Sequence, residues 1–178
     1  MHGIIFNQLR NFAQSRLGEH GWENLLREAK LPARVYLAFQ SYPDEEAGAI
    51  VGAASKVSGK PLRVLLEDFG EFIVPSLMRI YAGFIQSGWT ILDVIENAER
   101  IHERVRRDSQ ARPPVLECQR VDVNTVRVVY ASPRRLCGVG IGFVRGLANE
   151  LKQKVEVHES QCVYSGAPHC EFIVRRKF

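Results

Sequence analysis

Tyr130, Ser132 and Arg134 stand at alternate positions of the run Tyr-Ala-Ser-Pro-Arg. In an extended segment alternate side chains fall on one face. A phenol, a hydroxyl and a guanidinium would then point the same way and cradle an anion. Pro133 biases Ser132 toward the extended backbone this requires. Arg134 brings a rigid fork that suits carboxylates. Upstream lies His102, on a stretch whose other same-face residues are apolar. An imidazole for a metal and a clamp for carboxylates are together the equipment for holding haem.

A second group could hold a metal ion. Cys137, Cys162 and Cys170 have His158, Glu159 and His169 close to them in sequence. Three thiolates plus a histidine or carboxylate complete a tetrahedral zinc site. The spacing is not that of a zinc finger, so spare or oxidisable thiols are the alternative. The fourth ligand stays open among His158, Glu159 and His169. Cys118 has no assigned partner.

Other chemistries lack their residues. The net charge of +4 is mild, and no basic cluster is interleaved with aromatics, so nucleic acid is not an expected partner. No run of 18 apolar residues suggests a membrane span. The start, Met1-His2-Gly3-Ile4-Ile5-Phe6-Asn7, does not read as a signal peptide. The expected location is the cytoplasm, where cysteines are more often thiols or metal ligands than disulfides. No Gly-x-Ser-x-Gly and no phosphate loop points to hydrolysis.

These residues need elements to position them. The 178 residues suffice for one domain that buries a core and a cofactor. Apolar stripes at Ile5, Leu9 and Phe12, and at Trp22, Leu25, Leu26 and Ala29, predict helices. Pro43 followed by three acids starts another, running to about Ser58-Gly59. Pro61 opens the next, which Gly70 interrupts and Pro75 resets. Thr90 with Asp93 resembles a capping box. From there Ile91, Ile95, Ala98, His102 and Val105 share one helical face. Residues 108–114 read as a linker. Then the period changes to strands over 115–118 and 125–130, a glycine-rich helix over 136–151, and strands over 155–157 and 172–174. Gly138, Gly140, Gly142 and Gly146 cost that helix roughly 1 kcal/mol each against Ala. Close approach of something flat and bulky is the expected compensation. The fold class is α+β: an N-terminal helical lobe packed on a lobe with a four-stranded antiparallel sheet.

The chain resembles the haem-nitric oxide/oxygen binding (H-NOX) domain family. The resemblance runs from Met1-His2-Gly3-Ile4-Ile5-Phe6-Asn7, through Arg34-Val35-Tyr36 and Ile101-His102, to Tyr130-Ala131-Ser132-Pro133-Arg134-Arg135-Leu136-Cys137. It implies a single such domain over residues 1–178, with a distal subdomain over 1–65, a proximal one over 66–178, and haem b between them. It implies His102 as the iron ligand and Tyr130, Ser132 and Arg134 as holders of the propionates. Ile5, with Pro113 or Pro114, would pack against the porphyrin and distort it. The distal position that is a tyrosine in oxygen-binding members aligns with Val139, and Leu9, Ile73 and Phe143 complete an apolar pocket. Such a pocket implies a sensor of nitric oxide and carbon monoxide that does not hold oxygen, not an enzyme. It would signal to a separate histidine kinase or diguanylate cyclase. Some members carry three comparable cysteines and a histidine three residues before the middle one, implying zinc; here Glu159 takes that place and His158 sits one residue earlier, on the opposite face of a strand, so the fourth ligand is His158 or Glu159. The pattern Glu159-x-x-Cys162 with Cys170-Glu171-Phe172 is also similar to the 4-vinyl reductase-type domain. The alternative it implies is a haem-free zinc/thiol redox-sensing or small-molecule-binding module.

Overall fold

Helix α1 (Gly3–Leu17) buries Phe6, Leu9, Phe12 and Ala13, which recur every three or four residues along one face. In the computed structural model, which describes residues 1–109 and 111–178, α1 is followed by α2 (Gly21–Glu28), α3 (Asp44–Ser58), α4 (Leu62–Ile80), α5 (Ile91–Glu96) and α6 (Ala98–Asp108). Gln110, within the linker expected over 108–114, lies outside the described residues. The C-terminal part alternates β1 (Val115–Asp122), β2 (Thr125–Ala131), α7 (Cys137–Glu150), β3 (Lys154–Gln161) and β4 (Cys170–Lys177). The four strands form an antiparallel sheet in the order β1-β2-β4-β3. The architecture is α+β, as expected.

The described residues form two apolar cores. One joins α1, α2 and α3 to Tyr36 and to Phe69 and Ile73 of α4. The other lies under the sheet, where Val126, Val128, Tyr130, Phe172 and Val174 meet α5, α7 and Val74 of α4. Helix α4 therefore belongs to both. Phe143 packs against both cores as well, while Val139 faces the N-terminal one.

Two helix boundaries differ from the sequence reading. Helix α4 runs unbroken through Gly70 and Pro75. Both residues are explained by α7. A Cβ on Gly70 would come 2.2 Å from the Val139 carbonyl oxygen, and one on Gly142 would come 1.9 Å from that of Glu67. Pro75 deprives the Glu71 carbonyl of its helical donor, and α7 passes against that carbonyl at Gly146. The glycines of α7 thus serve helix-to-helix approach. Gly138, Gly142 and Gly146 face α4, and Gly140 faces Phe172 and Tyr130. The expected close approach is present, but its object is a helix and not something flat and bulky.

The second difference lies at Asn97, where the helix expected from Thr90 through Val105 divides. Asn97 has φ −93° and ψ 2°, and its side-chain amide donates to the Asp93 carbonyl at 2.9 Å. A local side-chain bond of this kind competes with helix continuation. The capping box is present. Thr90 Oγ1 accepts from the Asp93 amide, and Asp93 Oδ2 accepts from the Thr90 amide at 2.8 Å.

Candidate functional site

His102 sits in the middle of α6, three-quarters buried. Its Nδ1 lies 3.0 Å from the Pro114 carbonyl oxygen. A carbonyl only accepts, so Nδ1 carries the proton and Nε2 keeps its lone pair. A metal-binding imidazole is commonly oriented through its other nitrogen in this way. Burial holds the ring below its usual 6.5, a pull larger than the opposing effects of the Pro114 carbonyl and Glu99. His102 is therefore a neutral donor near pH 7.

Its support comes from α6 and the start of β1. Arg106 also donates to the Pro114 carbonyl, at 3.3 Å, and pairs with Glu99. Glu99 Oε2 in turn accepts the Leu116 amide at 2.8 Å. Leu116 pairs with Tyr130 across the β1–β2 ladder. The helix bearing the imidazole is thereby tied to the strand bearing the phenol. Sequence reasoning assigned no role to Glu99 or Arg106, because their partners, the Pro114 carbonyl and the Leu116 amide, lie beyond the helix.

A pH dependence follows with a definite sign. The unfolded chain takes a proton on His102 near pH 6.5, whereas the folded chain resists it. Stability is full above 6.5 and is lost as pH falls from that value toward the lower folded pKa. Urea unfolding of the haem-free chain should show a midpoint that falls as pH drops below about 6.5, and a shallower fall in His102→Gln. His2, also lowered by burial and then by the N-terminal ammonium, supplies a residual slope of the same sign.

The anion cradle departs from one continuous strand. Strand β2 ends at Ala131, and Ser132–Arg135 form a turn closed by the Arg135 amide donating to the Ser132 carbonyl at 3.1 Å. Arg135 is left at φ 52°. Alternation along a strand is thus not what gathers the three side chains. Tyr130 is buried against Phe172, and its phenol reaches the Ser132 hydroxyl. The Ser132 hydroxyl also accepts the Arg134 amide at 3.3 Å. The Arg134 guanidinium points to the other lobe, with Nε 2.8 Å from Asp44 Oδ2 at the start of α3, and it donates to the Arg112 carbonyl. Asp44 Oδ1 lies 2.6 Å from the Met1 ammonium. Burial pushes the Asp44 carboxyl up, but Arg134 and the ammonium together hold it below its usual range. Asp44 had read only as a helix-start acid, and no sequence signal linked it to Arg134.

Arg134→Ala should reduce retention of a dianionic cofactor more than Ser132→Ala, because it removes a full charge and not only a hydrogen bond. Bound haem after desalting measures this. Equal retention in the two variants would mean that charge does not hold the propionates.

The apolar residues named from sequence converge on the N-terminal core. Leu9 and Ile73 are buried in it, and Ile5, Val139 and Phe143 pack against it. Pro113 and Pro114 are half-buried at the foot of β1. A further apolar cavity of about 150 Å³ shares Leu9 and runs between α1, α3 and α4, past Phe12, Ile50 and Phe69. Gln8 is buried with its Oε1 unpartnered; sequence reasoning passed over it.

The cysteine cluster also forms. The sulfurs of Cys137 and Cys170 each lie 3.9 Å from that of Cys162. The ligand atoms of Cys137, Glu159, Cys162 and Cys170 all fall within 4.8 Å of one another. Glu159 shares the inward face of β3 with Val155 and Val157, whereas His158 is exposed on the other face. Of these two residues, Glu159 and not His158 stands beside the three sulfurs. A register shift between Glu159 and Gln161 follows it and precedes Cys162. Bulges of this kind re-aim side chains. Cys118 stands apart on β1, its thiol pushed up to about 12 by burial and then by Glu99, Glu96 and Glu117.

The chain is similar to an H-NOX protein from S. oneidensis solved in its Fe(II)NO state, with 27% identity, a TM-score of 0.93 and all of both chains covered. A Shewanella oneidensis H-NOX domain in the Fe(II)CO state matches at 27% identity and a TM-score of 0.88 over 99% of each chain. An I5F mutant of the T. tengcongensis H-NOX, 17% identical and covering 100% of this chain and 98% of its own, shares the fold with a TM-score of 0.87. No curated protein matches. The profile of the Haem-NO-binding family matches residues 2–159. The chain belongs to the Haem-NO-binding (H-NOX) family, whose members are haem-based gas sensors.

Proposed function

We propose that this protein senses nitric oxide, accepts carbon monoxide, does not hold oxygen, and signals to a separate histidine kinase or diguanylate cyclase. Haem b, when bound between the distal part (1–65) and the proximal part (66–178), supplies an iron that takes a diatomic gas. The donor set fits that group: a neutral, buried imidazole whose Nδ1 is held by the Pro114 carbonyl leaves Nε2 for the iron. Tyr130, Ser132 and Arg134 would hold the propionates. Ile5 and one of Pro113 and Pro114 would press on the ring.

The observation that carries the gas preference is the make-up of the pocket positions. Leu9, Ile73, Val139 and Phe143 line or abut one apolar core and offer no side-chain hydrogen-bond donor. Bound oxygen is polarised and gains from a donor; nitric oxide and carbon monoxide depend on one far less. Val139→Tyr should introduce measurable oxygen affinity. The test exposes the ferrous protein to each gas and follows its visible spectrum. Stable complexes with nitric oxide and carbon monoxide, and none in air, support the reading. An oxygen complex that persists in air would overturn it, and its loss in Gln8→Leu would identify the missed donor.

Signalling is proposed to run through α6. His102, Arg106 and Glu99 tie that helix to β1. Release of His102 from its metal would leave α6 held by its protein contacts alone, free to shift with the proximal part. A ligand that favours the released state must bias the population toward it. The cluster of Cys137, Cys162 and Cys170 is proposed to hold a structural zinc ion.

A further inference from the structure

Glu159 reaches the thiol cluster with a carboxylate divided between two environments. Oε2 accepts from Arg63 Nη2 at 3.1 Å. Oε1 is buried with no hydrogen-bond partner. A buried carboxylate oxygen left unpaired is costly, so this atom points to a cation. The neighbouring groups are the sulfurs of Cys137, Cys162 and Cys170.

Arg63 comes from α4, far from the cysteines in sequence, and is held on three sides. Its Nε lies 2.6 Å from Glu67 Oε1, one turn along the same helix. Its Nη2 holds Glu159, and its Nη1 lies 3.8 Å from Cys162 Sγ. A Cβ on Gly138 would already stand 3.4 Å from Arg63 Cδ, so α7 passes close against the side chain and limits its freedom. A planar guanidinium fixed in this way fixes the carboxylate it binds.

Resting on the reading that the cluster holds zinc, we infer that Glu159 Oε1 is the fourth donor of that site and that Arg63 is its positioning residue. Arg63 keeps Oε2, which turns Oε1 toward the sulfurs. It also offsets charge. Three thiolates and a carboxylate around a dication leave two negative charges, and the guanidinium removes one of them. The alternative role for Arg63, competing with the metal for Glu159, is disfavoured because the two would use different oxygens. The site also becomes part of the helix pair, since Arg63 and Cys137 stand near the adjoining ends of α4 and α7.

The test is zinc affinity of the full, reduced chain, measured by competition with a chromophoric chelator. Arg63→Gln should weaken zinc binding by about 10–100-fold with the stoichiometry unchanged. Glu159→Gln should weaken it at least as much, and Arg63→Lys should recover part of the loss. His158→Ala, on the opposite face of β3, should change nothing. With cobalt in place of zinc, Glu159→Gln should shift the d–d bands and keep the thiolate charge-transfer intensity, because the sulfurs remain. Unchanged affinity in both Arg63→Gln and Glu159→Gln overturns the inference and leaves a three-thiolate site standing. Tighter zinc binding in Arg63→Gln makes Arg63 a competitor and also overturns it. A reduced wild-type chain that takes up no zinc overturns the zinc reading itself. Should Arg63→Gln fail to fold, Arg63→Lys decides: it keeps the charge and loses the fork, so undiminished affinity there overturns the positioning role.

Discussion

Replacing His102 with glycine should strip haem from the protein during purification, and added imidazole should restore it. The glycine leaves a gap at the foot of β1 where the ring stood, and free imidazole can fill that gap and donate to the Pro114 carbonyl in place of His102 Nδ1. Losing the proposed iron ligand should cost haem affinity at least as much as losing an outer partner does, so a loss of at least about 100-fold is expected. The ratio of haem to protein absorbance after gel filtration, with and without imidazole, reads the effect. Full haem content and unchanged ferrous spectra in the glycine variant would remove His102 from its role.

The second large effect is on folding. Gly142→Ala should destabilise the chain at the upper end of overpacking costs, by about 3 kcal/mol, because its Cβ would stand 1.9 Å from the Glu67 carbonyl oxygen. That contact is backbone against backbone, so relief requires α4 and α7 to separate. In a domain of this size the melting temperature should fall by about 6–12 °C. Gly48→Ala, in α3 with nothing within 4 Å of its Cβ, should instead stabilise by about 0.5–1 kcal/mol. Thermal unfolding of the two variants side by side separates close approach from a general glycine effect. Equal melting temperatures would mean that the α4–α7 contact is not tight.

Much of this was legible because it is local. The Tyr-x-Ser-x-Arg run, the apolar faces around His102 and the capping box at Thr90 are read from residues a few positions apart. The α+β class followed from the change of period after Pro114. What escaped the sequence is set by distant partners. Gly70 and Pro75 read as a break, but the helix continues because α7 packs there, and packing overrides propensity. The α7 glycines suggested close approach correctly and its object wrongly, since the neighbour is a helix that precedes them by many residues. The turn at Pro133-Arg134 redirected Arg134 to Asp44, which no spacing rule connects to it. The fourth member of the thiol cluster was open between two adjacent residues, and the face that β3 turns inward decided for Glu159.

The most direct measurement is the visible absorption spectrum of the chain, expressed with ample haem precursor and purified without added imidazole. A haem-based sensor predicts a strong Soret band at equimolar haem, which moves on reduction and moves again when nitric oxide is added. A colourless protein that also fails to take up haem supplied afterwards would contradict it.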